Sequence, residues 1–140
     1  MKKLFSTRVS DTAFNFAMLV LRLGFGLLML TNHGYSKLVN YAGMLKSFQD
    51  PTGIFTNPVA LGLTVFAEFF CAAFIVLGLF TRLACIPLII TMSIAFFKVH
   101  GGRYAPGPGS GEMALLFLTG FVVLLFTGPG RISLDRFIGK

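Results

Sequence analysis

A chain of 140 residues that is 55% hydrophobic and 12% charged, with mean hydropathy +0.81, carries roughly half the ~25% of charged residues usual in a soluble domain. So much apolar surface cannot be hidden inside a soluble protein of this size, which excludes a separate soluble catalytic domain and predicts an integral membrane protein. The net charge of +7 comes from basic residues between hydrophobic runs, not from a basic face, so it reads as a membrane topology signal and argues against a nucleic-acid partner.

Residues 1–12 are polar and include Lys2, Lys3 and Arg8. The apolar run after them is too long for a signal-peptide core and has no small-residue cleavage site behind it, so an uncleaved first span is expected over about residues 14–31. At about 1.5 Å per residue this reaches roughly 27 Å, close to a hydrocarbon core. Gly24 and Gly26 thin one side of it for a neighbouring helix. His33-Gly34 reads as the exit.

Between Tyr35 and Asp50, Leu38, Tyr41, Leu45 and Phe48 recur at three- and four-residue steps among polar residues. This predicts a short amphipathic helix lying at the interface. Asp50-Pro51-Thr52-Gly53 stops it, and Asn57-Pro58 opens the next element. A second span is expected over about 58–80, a tight Thr81-Arg82 turn, a third over about 83–97 with Pro87 inside, and a fourth over about 113–127. The glycine-rich 101–111 stretch is an exposed loop, and the closing RISLDRFIGK is a basic tail at the interface. No internal repeat or linker divides residues 1–140, so a single membrane domain is expected.

Four spans put both termini on one side of the membrane. Lys2, Lys3, Arg8, Arg82, Arg131, Arg136 and Lys140 then share that side, against Lys37, Lys46, Lys98 and Arg103 on the other, which places both termini in the cytoplasm.

Two ionisable residues fall inside spans. Counted from the cytoplasmic ends, Arg22 lies roughly 12 Å deep and Glu68 roughly 18 Å. An unpaired charge at such depth costs about 3 kcal/mol or more, so an Arg22–Glu68 pair is expected. It has two alternative meanings: a structural pair that sets helix register, or a polar pocket that binds a head group or relays a proton.

A second cluster gathers at the outer mouth: His33, Lys37, His100 and Arg103, with Lys98 and Glu112 nearby. Two histidines with no third ligand among cations give no metal site. The alternatives are a rim of snorkelling polar side chains and a site for an anion or a quinone carbonyl, with His33 or His100 as proton donor. The glycine-rich loop lacks a phosphate-cradle pattern, and no nucleophile–base triad is visible. Cys71 and Cys85 form no CxxC pair and read as buried small hydrophobes.

These segments carry a resemblance. LVLRLGFGLLML, HGYSKL, AEFFCAAFIVLGLFTRLAC and GPGRISLDR occur in order, and together they resemble the DoxX family of small bacterial four-helix membrane proteins. The resemblance implies an all-α four-helix bundle in the bacterial cytoplasmic (inner) membrane and a link to quinone-dependent oxidoreduction or oxidative-stress complexes. Its motif residues fall on Arg22, His33, Gly34, Lys37, Glu68, Thr81 and Arg82, none with an established catalytic role. Two functions stay open: an oxidoreductase component with quinone as cofactor and no catalytic motif of its own, or a non-catalytic anchor for a soluble or membrane redox partner. A small transporter has less room for a pathway. Besides the lipid bilayer, a second copy in a homo-oligomer is the remaining candidate partner.

Overall fold

Ser10 starts the first helix, its hydroxyl accepting the Ala13 N–H at 3.2 Å, a side-chain cap for an otherwise orphan donor. In the computed structural model, which describes residues 7–139, helix α1 (Asp11–Val39) then runs for 29 residues. Lys2, Lys3 and Lys140, counted above as topology signals, lie outside the described residues. The exit expected near residue 31 does not end α1. Its polar residues satisfy themselves on the helix: the Thr31 hydroxyl donates to the Leu27 carbonyl at 2.8 Å and that of Ser36 to the His33 carbonyl at 3.1 Å. They therefore do not pull the chain out into water. Within α1, Met29–Gly34 is wound as a π-helical turn.

The chain breaks at Asn40, at φ −99° and ψ 22°, and the short helix after the first span is α2 (Tyr41–Leu45). It is narrower than the expected 35–50 because Tyr35–Val39 still belongs to α1. The Tyr41 hydroxyl donates to the Pro58 carbonyl at 2.7 Å, holding α2 to the start of α3 (Asn57–Leu77), whose second residue is a helix-compatible proline. Phe66–Cys71 is a second π-helical stretch.

Helix α3 ends at Gly78, whose φ of 68° is left-handed. Gly78 and Leu79 N–H groups bond back to Ile75 and Phe74 carbonyls at 3.1 and 2.9 Å, a glycine C-cap. Phe80 also takes a positive φ, 47°, so the turn comprises Gly78–Phe80 rather than Thr81-Arg82. Helix α4 (Thr81–Val99) contains Pro87 and ends in a third π stretch, Ala95–Val99. Helix α5 (Glu112–Thr127) has 16 residues, and a single turn, α6 (Asp135–Ile138), lies in the tail.

Helix α1 packs on α3 and α5, and α4 packs on α3 and α5, giving an up-down-up-down bundle. Met29, Leu61, Ile75, Leu88, Phe121 and Leu124 are fully buried along its axis. Phe25 meets Phe117 edge-on at 5.7 Å, and Phe117 stacks on Phe121 at 6.0 Å, a geometry aromatic rings favour. Cys71 and Cys85 are buried and unpaired in this core. The outer surface carries Val20, Leu27, Phe70, Ile86, Leu116 and Phe126, all exposed. A belt of that kind suits hydrocarbon, not water. Among the described residues, three helices are long and apolar enough to cross a membrane, and α5 is a shorter apolar fourth.

Candidate functional site

The two intramembrane charges do not meet. Arg22 is 2% exposed, and its guanidinium turns toward the end of the bundle where α3 stops. Nε donates to the Ile75 carbonyl at 3.0 Å and Nη2 to that of Val76 at 3.0 Å. Nη1 donates to Pro129 and Ile132 carbonyls at 2.9 and 2.7 Å. The expected Arg22–Glu68 pair is therefore corrected. Carbonyls at a helix C-terminus have no intrahelical donor, and a cation there is favoured by the helix dipole as well. Arg22 thus caps α3 and ties the Pro129–Ile132 segment to it. Asp135 completes this knot. Its carboxylate accepts the Phe80 and Thr81 N–H groups at 2.5 and 2.9 Å, capping α4 from the tail, and it lies within electrostatic range of Arg22.

Glu68 pairs instead with Lys37, Nζ on Oε2. Glu68 is 3% exposed, and Lys37 is half-buried. What brings them together is Gly34, one turn before Lys37. A Cβ there would collide with the Glu68 carbonyl and come within 2.7 Å of Phe69 Cα, so only glycine lets the backbones of α1 and α3 close at this level. His33 stands beside the pair, close enough to feel both charges. Its ring meets Phe117 edge-on at 5.6 Å.

These groups form one pole of a cavity of about 600 Å³ lined by His33, Lys37, Glu68 and His100 and walled mostly by apolar side chains such as Leu63, Phe66, Ile90 and Phe117. All three π-helical stretches contribute to its lining. A π turn inserts an extra residue and shifts the phase of the next turns, a device frequent at functional sites.

Two loops contribute to the lining of this cavity. Asp50 organises the first: its carboxylate accepts the Thr52 hydroxyl at 2.7 Å and the Thr52, Ile54 and Phe55 N–H groups at 3.0, 2.9 and 2.9 Å. The Thr52 hydroxyl first, then the Phe55 N–H, pull the Asp50 carboxyl down to about 2, so it stays ionised near neutral pH. In the second loop, His100 Nδ1 lies 3.1 Å from the Gly109 carbonyl oxygen; a proton on Nδ1 donates to it and leaves Nε2 as an acceptor. Arg103, expected with this cluster, is exposed and does not line the cavity, and neither do Lys98 or Glu112. Each sits at or beyond a helix end, where a long polar side chain turns to water.

The structure thus gathers His33, Lys37, Glu68 and His100 around one cavity and sends Arg22 to a separate knot. Reading the sequence missed Asp135 and Asp50. The signal for Asp50 was present, since Asp-Pro-Thr-Gly is a side-chain-capped turn as well as a helix stop. Asp135 gave none, because its two partners lie 54 and 55 residues away in the chain.

A bundle of apolar helices with a mostly apolar cavity, polar at one pole, between them and an apolar belt outside defines a small helical membrane protein. The chain belongs to the DoxX family, whose profile matches residues 17–101. It is similar to an uncharacterized Haemophilus influenzae protein, 32% identical over 112 residues that cover 77% of this chain and 81% of that protein. It is also similar to an uncharacterized membrane protein of Mycobacterium tuberculosis, 38% identical over 84 residues, with 52% of each chain covered. No solved structure matches the chain.

Proposed function

We propose that this protein is the membrane component of a quinone-linked redox or oxidative-stress system in the bacterial cytoplasmic membrane, and that the quinone head lies at the Lys37–Glu68 pole of the cavity. The observation that supports this reading is the cavity itself, apolar over most of its wall with cationic, anionic and imidazole groups at one pole. Ligand pockets commonly have this make-up, and the donor set suits a flat ring bearing two carbonyl oxygens. A bound quinone would supply two-electron, two-proton chemistry. Lys37 would donate a hydrogen bond to a carbonyl oxygen, with Glu68 holding Lys37 in place, and the His33 imidazole beside the pair would hold or hand over a proton. Phe117, edge-on to His33, keeps that ring oriented. Electrons come from a partner protein.

The test is a quinone assay on lipids extracted from gently purified protein. Breaking a buried pair by removing one member costs about 3–5 kcal/mol, whereas apolar replacement of both members is often tolerated. Glu68→Gln is therefore accompanied by the double variant Lys37→Met with Glu68→Leu. Near-stoichiometric quinone in the wild type and its loss in a double variant that still folds is the expected outcome. Equal background quinone in all three overturns the reading.

A further inference from the structure

The α3–α4 hairpin is not packed along its whole length. The second half of α3, from Phe66 onward, lies against α4, but Asn57–Val65 packs on α2 instead. The two helices therefore separate toward the end of the bundle where the cavity sits. On both sides of that gap, the same residues line the cavity and face outward: Leu63 and Phe66 on α3 are 48% and 47% exposed, and Ile90 on α4 is 55% exposed. At about 1.5 Å per residue, Leu63 and Phe66 lie roughly 9 and 14 Å along α3 from Asn57, and Ile90 roughly 14 Å along α4 from Val99. That is the depth of acyl chains, not of headgroups. Pro87, one turn below Ile90 and also in the lining, has no N–H for the carbonyl of Leu83. The Asp50-organised loop, held by four hydrogen bonds to one carboxylate, lines the cavity as well.

From this we infer that the cavity is filled from the bilayer, through a portal between α3 and α4. Its ligand class is a long-tailed amphiphile, the head at Lys37, Glu68 and His33 and the tail leaving past Leu63 and Ile90 into lipid. The inference rests on the reading of the cavity as a ligand site and adds the route and the need for a tail. A water-soluble small molecule would instead have to enter past the Asp50 loop, where Asp50 and Thr52 line the cavity, and the two routes are what the experiment separates.

The experiment uses the full chain in lipid nanodiscs, where both faces meet water. Thr91, half-buried in the cavity lining, is replaced in Thr91→Cys, against a background in which Cys71 and Cys85 are 2% and 0% exposed. One reagent is an alkyl maleimide dissolved in the bilayer; the other is a charged methanethiosulfonate confined to water. The expected result is labelling by the alkyl reagent alone, lost when Leu63→Trp is added to fill the portal in a variant with an unchanged melting profile. Labelling by the charged reagent as fast as by the alkyl one overturns the portal, as does undiminished alkyl labelling in Leu63→Trp. Addition of a long-tailed quinone tests the ligand separately from the route. Protection of Thr91→Cys supports the quinone, while labelling through the portal without protection keeps the route and removes that ligand.

Discussion

Arg22 and Glu68 show what a single ionisable residue in a span demands. Each is buried, and each needs a partner, but a guanidinium can use carbonyls whereas a carboxylate needs a donor. Arg22 finds four carbonyl bonds among Ile75, Val76, Pro129 and Ile132; Glu68 finds Lys37. Replacing Arg22 by Leu leaves those carbonyls without a donor and releases the tail from α3. Bonds to charged groups contribute about 1.5–3 kcal/mol each but do not add simply, so Arg22→Leu is expected to cost on the order of 3–5 kcal/mol. Arg22→Lys keeps the charge and loses the planar fork, and so should fall between Leu and wild type. Thermal unfolding in one detergent orders the three, and a Leu variant that melts with the wild type refutes the capping role. The need for partners was legible in the sequence; their identity was not. Helical rise counted from each span's expected end does not give the register between helices: Gly26 lies against Val76 and Gly34 against Glu68, so Arg22 and Glu68 sit toward opposite ends of the bundle. Lys37 belongs to the rim only if the span ends at residue 31, and the span does not end there.

At the level of elements, the helices themselves follow from apolar runs bounded by Ser10, Thr56-Asn57-Pro58, Gly78 and Gly128. Asn57-Pro58 was legible as such a boundary; Ser10 and Gly78 were not, and the turn after α3 was expected at Thr81-Arg82. Where helices end was less legible, because Thr31, Asn32, His33 and Ser36 look like an exit until the Thr31 and Ser36 hydroxyls are seen bonding back to helix carbonyls. The π stretches left no sequence mark at all, since their winding answers to packing between helices. Gly34 was visible as part of a motif, but its reason was not. In α1, Gly34→Ala must push α3 away, and overpacking of this kind costs about 1–3 kcal/mol. Gly24→Ala, ten residues earlier, meets nothing within 4 Å and should be neutral or mildly stabilising, a helix interior favouring alanine by roughly 0.5–1 kcal/mol. Melting temperatures and quinone content measured on both variants are expected to fall for Gly34→Ala alone. A Gly34→Ala protein that keeps both would show that the backbones need not close for Lys37 to reach Glu68.

For the whole molecule, the knot and the cavity occupy opposite ends of the bundle. Near the knot, Arg131 bonds through its N–H to the Asn15 side chain at 2.7 Å and pairs with Asp11 at 3.1 Å, so the start of α1 and the tail after α5 share one end. By the positive-inside rule, the count of basic residues in the sequence leads us to propose a cytoplasmic knot, with the cavity and its loops toward the outside. A reporter that is active only in the cytoplasm, fused after the C terminus, is expected to work; activity of an export-dependent reporter there reverses the orientation.

The four long helices are also unequal. At about 1.5 Å per residue, α1 reaches roughly 44 Å and α5 only roughly 24 Å, against a hydrocarbon layer of about 30 Å. A membrane cannot satisfy both at one thickness. On the α1 flank the helix is expected to lean or emerge, and on the α5 flank the expected response is a thinner bilayer, in which lipids with shorter chains sit at the least elastic strain.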